Sequence, residues 1–183
     1  NSPNLSKDSI PAIEIMKRIM RSTFETGTPF LFFRDTVNRA NPNKHAGTIY
    51  SSNLCVEICQ NMSSQHLIEE EIQDDNGDKI IIQKYKAGDF VVCNLASINL
   101  GKVKSDSDIA RIVPIQIRLL DNVIDNNFYP LKNAEITNQK YRSLGLGAMS
   151  YAQYLAERQI AWESDKHLQV ADHLFELINF YAI

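Results

Sequence analysis

A change of hydrophobic period constrains this chain more than any other feature. Phe90-Val91-Val92-Cys93-Asn94-Leu95-Ala96-Ser97-Ile98-Asn99-Leu100 reads as a strand with a strongly buried first half, closed by Gly101. The period then becomes helical, with Ile109, Ile112, Val113, Ile117, Leu120, Val123 and Ile124 recurring between Asp106 and about Asn127. Ser105 or Ser107 supplies the N-cap, and Pro114 is expected to kink the helix. A strand followed at once by a long amphipathic helix buries one face against the other, which points to α/β architecture.

The same alternation returns downstream. A short polar helix is expected near Asn133 to Lys140. Arg142-Ser143-Leu144-Gly145-Leu146-Gly147 then reads as a strand entering a helix from Ala148 to about Arg158, and a last helix runs roughly from Ser164 to Ile183. Upstream, Ile13, Met16, Ile19 and Met20 mark a helix opened by Ser9-Ile10-Pro11 and reaching about Phe24. A helical turn over Asp35 to Ala40 precedes the loop Asn41-Pro42-Asn43-Lys44-His45-Ala46-Gly47. Residues 60–89 are polar, and Asp75-Asn76-Gly77-Asp78 reads as the tip of a surface hairpin excursion. The expected organisation is one domain over residues 1–183, with helices outside a sheet or barrel.

Composition narrows the function classes. The chain of 183 residues carries 19 basic and 22 acidic side chains, a net charge of −3, and no basic block, which argues against nucleic acid or an anionic membrane as partner. No apolar run is long enough for a bilayer and no signal-peptide pattern is present, so a cytoplasmic location is expected. Three cysteines make no disulfide scaffold; cysteine here points to chemistry. Asn4-Leu5-Ser6 and Asn61-Met62-Ser63 read as chance glycosylation patterns. Residue 1 is Asn, and Phe180-Tyr181-Ala182-Ile183 ends without a helix stop, so a piece of a larger protein is expected.

The chemistry concentrates in Ser51-Ser52-Asn53-Leu54-Cys55-Val56-Glu57-Ile58-Cys59. Read as extended, it places Asn53, Cys55 and Glu57 on one face, with Leu54, Val56 and Ile58 on a core face. The polar face offers an amide, a thiol and a carboxylate able to act as a base. The competing reading is a buried strand whose cysteine behaves as a small hydrophobe. A Cys55–Cys59 disulfide is disfavoured, because four residues of strand span about 13 Å. Zinc binding by Cys55, Cys59 and Cys93 with His45 or His66 lacks a tight Cys-x-x-Cys knuckle. Gly145-Leu146-Gly147 is an incomplete dinucleotide fingerprint, and close packing of strand and helix also explains its glycines. Cys59 reads as a packed core thiol, His45, His167 and His173 as surface or cap residues, and Glu69-Glu70-Glu71 as a solvated face.

Three ordered segments carry a family resemblance: Ser52-Asn53-Leu54-Cys55-Val56-Glu57-Ile58, then Cys93 through Gly101, then Arg142-Ser143-Leu144-Gly145-Leu146-Gly147-Ala148-Met149. Together with Asn41-Pro42-Asn43-Lys44-His45 and the stretch Leu119 to Pro130, they resemble the large catalytic subunit of ribonucleotide reductase, class I type. The resemblance covers nearly the whole chain, and the chain covers only a middle section of that family's ten-stranded α/β barrel with its catalytic finger loop.

The resemblance implies specific roles. Cys55 would become a thiyl radical that takes hydrogen from the substrate's 3′ carbon, Glu57 would remove the 3′-hydroxyl proton, and Asn53 would hold the sugar hydroxyls. Ser52, Asn53, Leu54, Cys55, Val56 and Glu57 would line the substrate. Cys93 would be half of the redox pair that reduces the 2′ carbon, facing the same cavity as Cys55. No metal or cofactor would be bound by this segment; the radical would come from a metal-containing small subunit, or from adenosylcobalamin in a parent of the other class. The implied partners are a ribonucleoside diphosphate, the radical-generating small subunit, a thioredoxin- or glutaredoxin-like reductant and the remaining large-subunit segments. The partner of Cys93, the effector loops, the phosphate-binding segment, the relay tyrosines and the C-terminal dithiol are not in this sequence. The chain alone is therefore expected to be inactive and to expose apolar surface. Two other readings stay open: a non-catalytic piece completing a split barrel, and a small zinc-binding module.

Overall fold

The computed structural model describes residues 9–183, which fall into two compact units divided after Asn61. In the first unit, helix α1 (Ala12–Thr26) starts after Pro11 and ends at Gly27. Gly27 adopts φ 76°, and its N–H closes the last turn on the Thr23 carbonyl, a conformation open to glycine because it has no Cβ. Helix α2 (Arg34–Ala40) follows. Asparagine side chains then organise the chain in place of a core. Asn38 accepts from the Ile49 N–H at 2.9 Å and donates to the Ile49 carbonyl at 2.8 Å. Asn41 and Asn61, both buried, donate to the Gly47 carbonyl. Among the described residues of this unit, Ile49 is the one buried apolar side chain. Ile13, Met16, Met20 and Phe24 of α1 are exposed.

The extended reading of residues 51–59 is corrected here. The chain turns: the Val56 N–H bonds back to the Asn53 carbonyl at 3.2 Å, and Val56 takes φ 68°. Leu54, assigned to a core face, is 82% exposed, whereas Val56 and Ile58 are half-buried. The physical reason is Asn53, whose side chain satisfies backbone and side-chain groups locally and so competes with strand pairing.

The second unit begins with an antiparallel hairpin, β1 (His66–Asp75) and β2 (Asp78–Lys86), closed by Asn76 and Gly77 at φ 52° and 98°. Left-handed φ at both positions is the geometry that matches strand twist in a two-residue turn, as the Asn-Gly signal predicts. Every residue of both strands is exposed. At the base the Ser63 hydroxyl accepts from the Asp89 N–H at 2.9 Å and donates to its carboxylate at 3.2 Å. The returning chain passes so closely that a Cβ on Gly88 would lie 2.3 Å from the Ser63 carbonyl oxygen.

Strand β3 (Leu95–Asn99) leads through a 3-10 turn at Leu100–Lys102 into α3 (Asp106–Asn126). Ser105 caps α3, and the Asp108 carboxylate reaches back to the N–H groups of Lys104 and Ser105. The helix runs on through Pro114. After α4 (Lys132–Tyr141) the chain enters β4 (Gly145–Met149), which pairs in parallel with β3, Leu95 opposite Gly145 and Asn99 opposite Met149. A crossover built of helices between parallel strands is what the alternating pattern requires. Helices α5 (Tyr151–Glu157) and α6 (Asp165–Ala182) complete the unit. The core joins Ile98, Leu100 and Val103 to Ile109 and Val113 of α3, Leu155 of α5, and Leu174 and Ile178 of α6.

Two details differ from the sequence reading. The strand begins at Leu95, not Phe90, and Cys93 is exposed between half-buried Val92 and buried Asn94. The Phe90 N–H donates instead to the Thr137 hydroxyl at 2.7 Å, which takes this stretch to α4 and out of a ladder. Gly145 and Gly147 lie inside β4 and accommodate Leu95 and Ser97 of β3, so the close packing is strand to strand. The parallel pair and the hairpin are separate two-stranded sheets. The architecture is mixed α/β, without a closed barrel among the described residues.

Candidate active site

The loop of residues 52–59 is built around Asn53. Its Nδ2 donates to Glu57 Oε1 at 2.6 Å, and its Oδ1 accepts from the Ile58 N–H at 3.1 Å and from Ser52 Oγ at 3.2 Å. Ser52 Oγ also lies 2.6 Å from the Ile58 carbonyl, to which it can donate. One amide and one hydroxyl thus close the loop at its neck. Cys55 and Leu54 occupy the turn and are exposed. Val56 is β-branched at positive φ, a combination that costs on the order of 1–3 kcal/mol and is concentrated at functional sites.

This geometry links Ser52, Asn53 and Glu57 by hydrogen bonds around the turn that carries Cys55, where the extended reading used one face of a strand. Glu57, expected to be enclosed beside Cys55, is exposed in this chain. An ionised carboxylate held by an amide donor keeps its other oxygen available to accept a proton. Beside the loop lies an open, largely apolar depression of about 430 Å³, lined in part by Phe30, Phe32, Tyr50 and Leu54. Cys59 points its thiol toward the Val56 carbonyl at 3.9 Å and is half-buried. Because the segment turns, the strand-length argument against a Cys55–Cys59 disulfide no longer applies; none of the three cysteines is disulfide-bonded.

Cys93 belongs to the second unit, on the irregular segment between hairpin and β3. Its flanks are strongly held. Asp89 is partly buried; burial alone would raise its pKa, but hydrogen bonds from Lys140 and Tyr141, the Lys140 charge and Ser63 hold it below the ordinary carboxylate value. On the other flank, buried Asn94 donates to the Leu120 carbonyl at 2.8 Å, and its own carbonyl accepts from Gly145 N–H at 2.9 Å. Arg142, at φ 47°, ends α4 and grips α3 through Asp121 and Asp125 at 2.8 and 2.9 Å. Its hydrogen bond is the main cause of the lowered Asp125 pKa.

Sequence reasoning passed over Asp89, and took Asn94 only as a letter in a motif. A polar residue inside the run Phe90 to Leu100 was the available signal for Asn94; Asp89 gave none, because its partners are 51 and 52 residues away. Among the described residues no cluster of three or more His, Cys, Asp or Glu is placed to hold a metal, and no helix is long and apolar enough to cross a membrane.

Comparison with known proteins identifies the family of the chain. The chain matches the family model described as ribonucleotide reductase, barrel domain, over residues 1–183. It is 49% identical over 181 residues to the ribonucleoside-diphosphate reductase subunit alpha of Treponema pallidum (strain Nichols), covering 98% of this chain and 21% of that protein. The subunit alpha of Helicobacter pylori (strain J99 / ATCC 700824) is 45% identical over 214 residues, covering 99% of this chain and 27% of that protein. The large chain of Encephalitozoon cuniculi (strain GB-M1) is 32% identical over 185 residues, covering 98% and 21% respectively. The chain therefore spans about a fifth to a quarter of the length of these relatives. With a whole-chain match to its barrel domain and relatives of this identity, the chain belongs to the ribonucleotide reductase large-subunit family.

Proposed function

We propose that this chain is the finger-loop segment of the ten-stranded catalytic barrel of a ribonucleoside-diphosphate reductase, forming one part of a single barrel domain over residues 1–183. The observation that carries this reading is the 2.6 Å hydrogen bond between Asn53 and Glu57 around the turn that presents Cys55. The Cys55 thiyl radical takes hydrogen from the 3′ carbon, regenerating the S–H bond and leaving a carbon radical. Glu57 accepts the 3′-hydroxyl proton, Asn53 holds the sugar hydroxyls, and Ser52, Leu54 and Val56 complete the lining. Water leaves the 2′ carbon, and Cys93 with a second thiol from outside this segment supplies two electrons and two protons, ending as a disulfide. The Cys55 S–H then returns its hydrogen to the 3′ carbon, restoring the thiyl radical, while Glu57 gives its proton back to the 3′ oxygen. A metal-containing small subunit supplies the oxidising equivalent for the Cys55 radical, or adenosylcobalamin in a parent of the other class. A thioredoxin- or glutaredoxin-like protein returns the disulfide to thiols.

Radical chemistry needs a water-excluded thiol, whereas Cys55 in this chain is exposed. Under this reading the missing barrel strands enclose the loop, and the isolated chain is inactive. The test is single-turnover reduction of a ribonucleoside diphosphate by the full-length parent enzyme, with substrate binding measured separately. Glu57→Gln keeps binding and lowers turnover by about 10²–10⁴-fold, the usual contribution of a positioned base. Cys55→Ser abolishes turnover. Near-normal turnover in either variant overturns the reading.

A further inference from the structure

Cys93 sits between two anchors on a segment outside any β ladder. Upstream, the Asp89 carboxylate is held by Lys140 Nζ at 2.9 Å and Tyr141 Oη at 3.1 Å, and the Phe90 N–H by Thr137. Downstream, Asn94 is gripped twice. Its side chain reaches the carbonyl of Leu120 in the middle of α3, and its main-chain carbonyl takes the N–H of Gly145 where β4 begins. The Leu120 carbonyl has a second lone pair, so it can serve the helix and Asn94 at once. Burying an amide is unfavourable unless it is hydrogen-bonded, and this amide makes its bond to a rigid helix and not to a neighbour on its own segment. Asn94 is thereby fixed in side chain and main chain, and the Cα of Cys93 lies one peptide away, about 3.8 Å.

We propose that Asn94 is a positioning residue for the Cys93 thiol, clamping it between α3 and the start of β4 so that its sulfur meets the second thiol in disulfide geometry. The proposal rests on the reading of Cys93 as a reducing thiol. In that step two thiols and a ribonucleotide give a disulfide, a deoxyribonucleotide and water. Disulfide formation is demanding in distance and dihedral angle, so loosening one sulfur lowers the effective concentration of the pair and makes the disulfide easier to reduce.

The experiment uses the full-length enzyme, equilibrated in dithiothreitol redox buffers, with the Cys93 disulfide quantified by differential alkylation and peptide mapping. In Asn94→Ala the disulfide equilibrium constant is expected to fall about tenfold, equivalent to about 30 mV for a two-electron couple. Asn94→Ser, a shorter donor, falls between wild type and Ala. Ile178→Val, a core change in the same unit, lowers thermal stability without moving the equilibrium, and so separates positioning from general loosening. If Asn94→Ala is recovered only unfolded, the comparison of Asn94→Ser with Ile178→Val decides. An Asn94→Ala equilibrium within twofold of wild type, or an equal shift in Ile178→Val, overturns the positioning role while leaving Cys93 as a redox thiol. Absence of any Cys93 disulfide in the oxidised wild-type enzyme overturns the underlying reading as well.

Discussion

Asn53 donates to the Glu57 carboxylate at 2.6 Å across a turn that has Cys55 at its tip, so the residue that shapes the loop is also the residue that orients the carboxylate proposed as the base. Hydrogen bonds to charged groups contribute about 1.5–3 kcal/mol, equivalent to roughly 10–100-fold in rate if the interaction matters in the transition state. Asn53→Ala in the full-length enzyme should therefore lose about that factor in single-turnover reduction. Asn53→Asp should not rescue it, because it keeps the acceptor for Ile58 but sets two carboxylates against each other. Rescue by Asp would show that Asn53 acts only through the loop backbone.

Val56 stands at φ 68°, where a β-branched side chain is strained and glycine is not. Val56→Gly is expected to leave stability unchanged or raise it by about 1 kcal/mol, where an unstrained valine replaced by glycine would lose stability. Turnover should fall, since the freed loop no longer holds Cys55 in one place. Denaturant melts of the full-length enzyme, paired with turnover, check both parts; a clear loss of stability would mean that Val56 packing outweighs its strain.

The hairpin is exposed along both strands, whereas its base is tightly closed at Gly88. Surface insertions cost little in loop-closure entropy, so replacing residues 66–86 by a short Gly/Ser linker should keep substrate turnover within a few-fold of wild type. Gly88→Ala, by contrast, places a Cβ against the Ser63 and Ser64 main chain and should destabilise the unit by about 1–3 kcal/mol. A linker variant with turnover lost would assign the hairpin a part in the chemistry.

Asp89 binds its proton more weakly in the folded chain than in the unfolded one, because the bonds from Lys140, Tyr141 and Ser63 outweigh the opposing effect of burial. A carboxylate with a lowered folded pKa contributes stability that is complete above its unfolded value near 3.9 and is lost as pH falls through the folded value below it. Acid unfolding of wild type and Asp89→Asn should therefore differ most at neutral pH and converge below about pH 4. A stability difference that stays constant from pH 7 to pH 2 would mean that the Asp89 charge contributes nothing.

Much of the second unit was legible in the sequence because local rules and tertiary demands coincide there. The helical spacing of Ile109, Val113, Leu120 and Ile124 matches the buried stripe of α3, and Asn76-Gly77 forms the hairpin turn its chemistry requires. The identity of the loop residues was also carried by sequence, because Ser52, Asn53, Cys55 and Glu57 are close in the chain. Their arrangement was not. Alternation predicts a strand only when a partner supplies the ladder, and Asn53 bonds the loop to itself instead. Likewise Phe90 to Asn94 has the composition of a strand, yet contacts from Thr137 and Leu120, 47 and 26 residues away, draw it out of the sheet. Sequence fixes what is determined within a few residues, namely period, caps and turn geometry. Tertiary structure decides where each backbone N–H and C=O finds its partner, since those partners come from elements that adjacent residues do not specify.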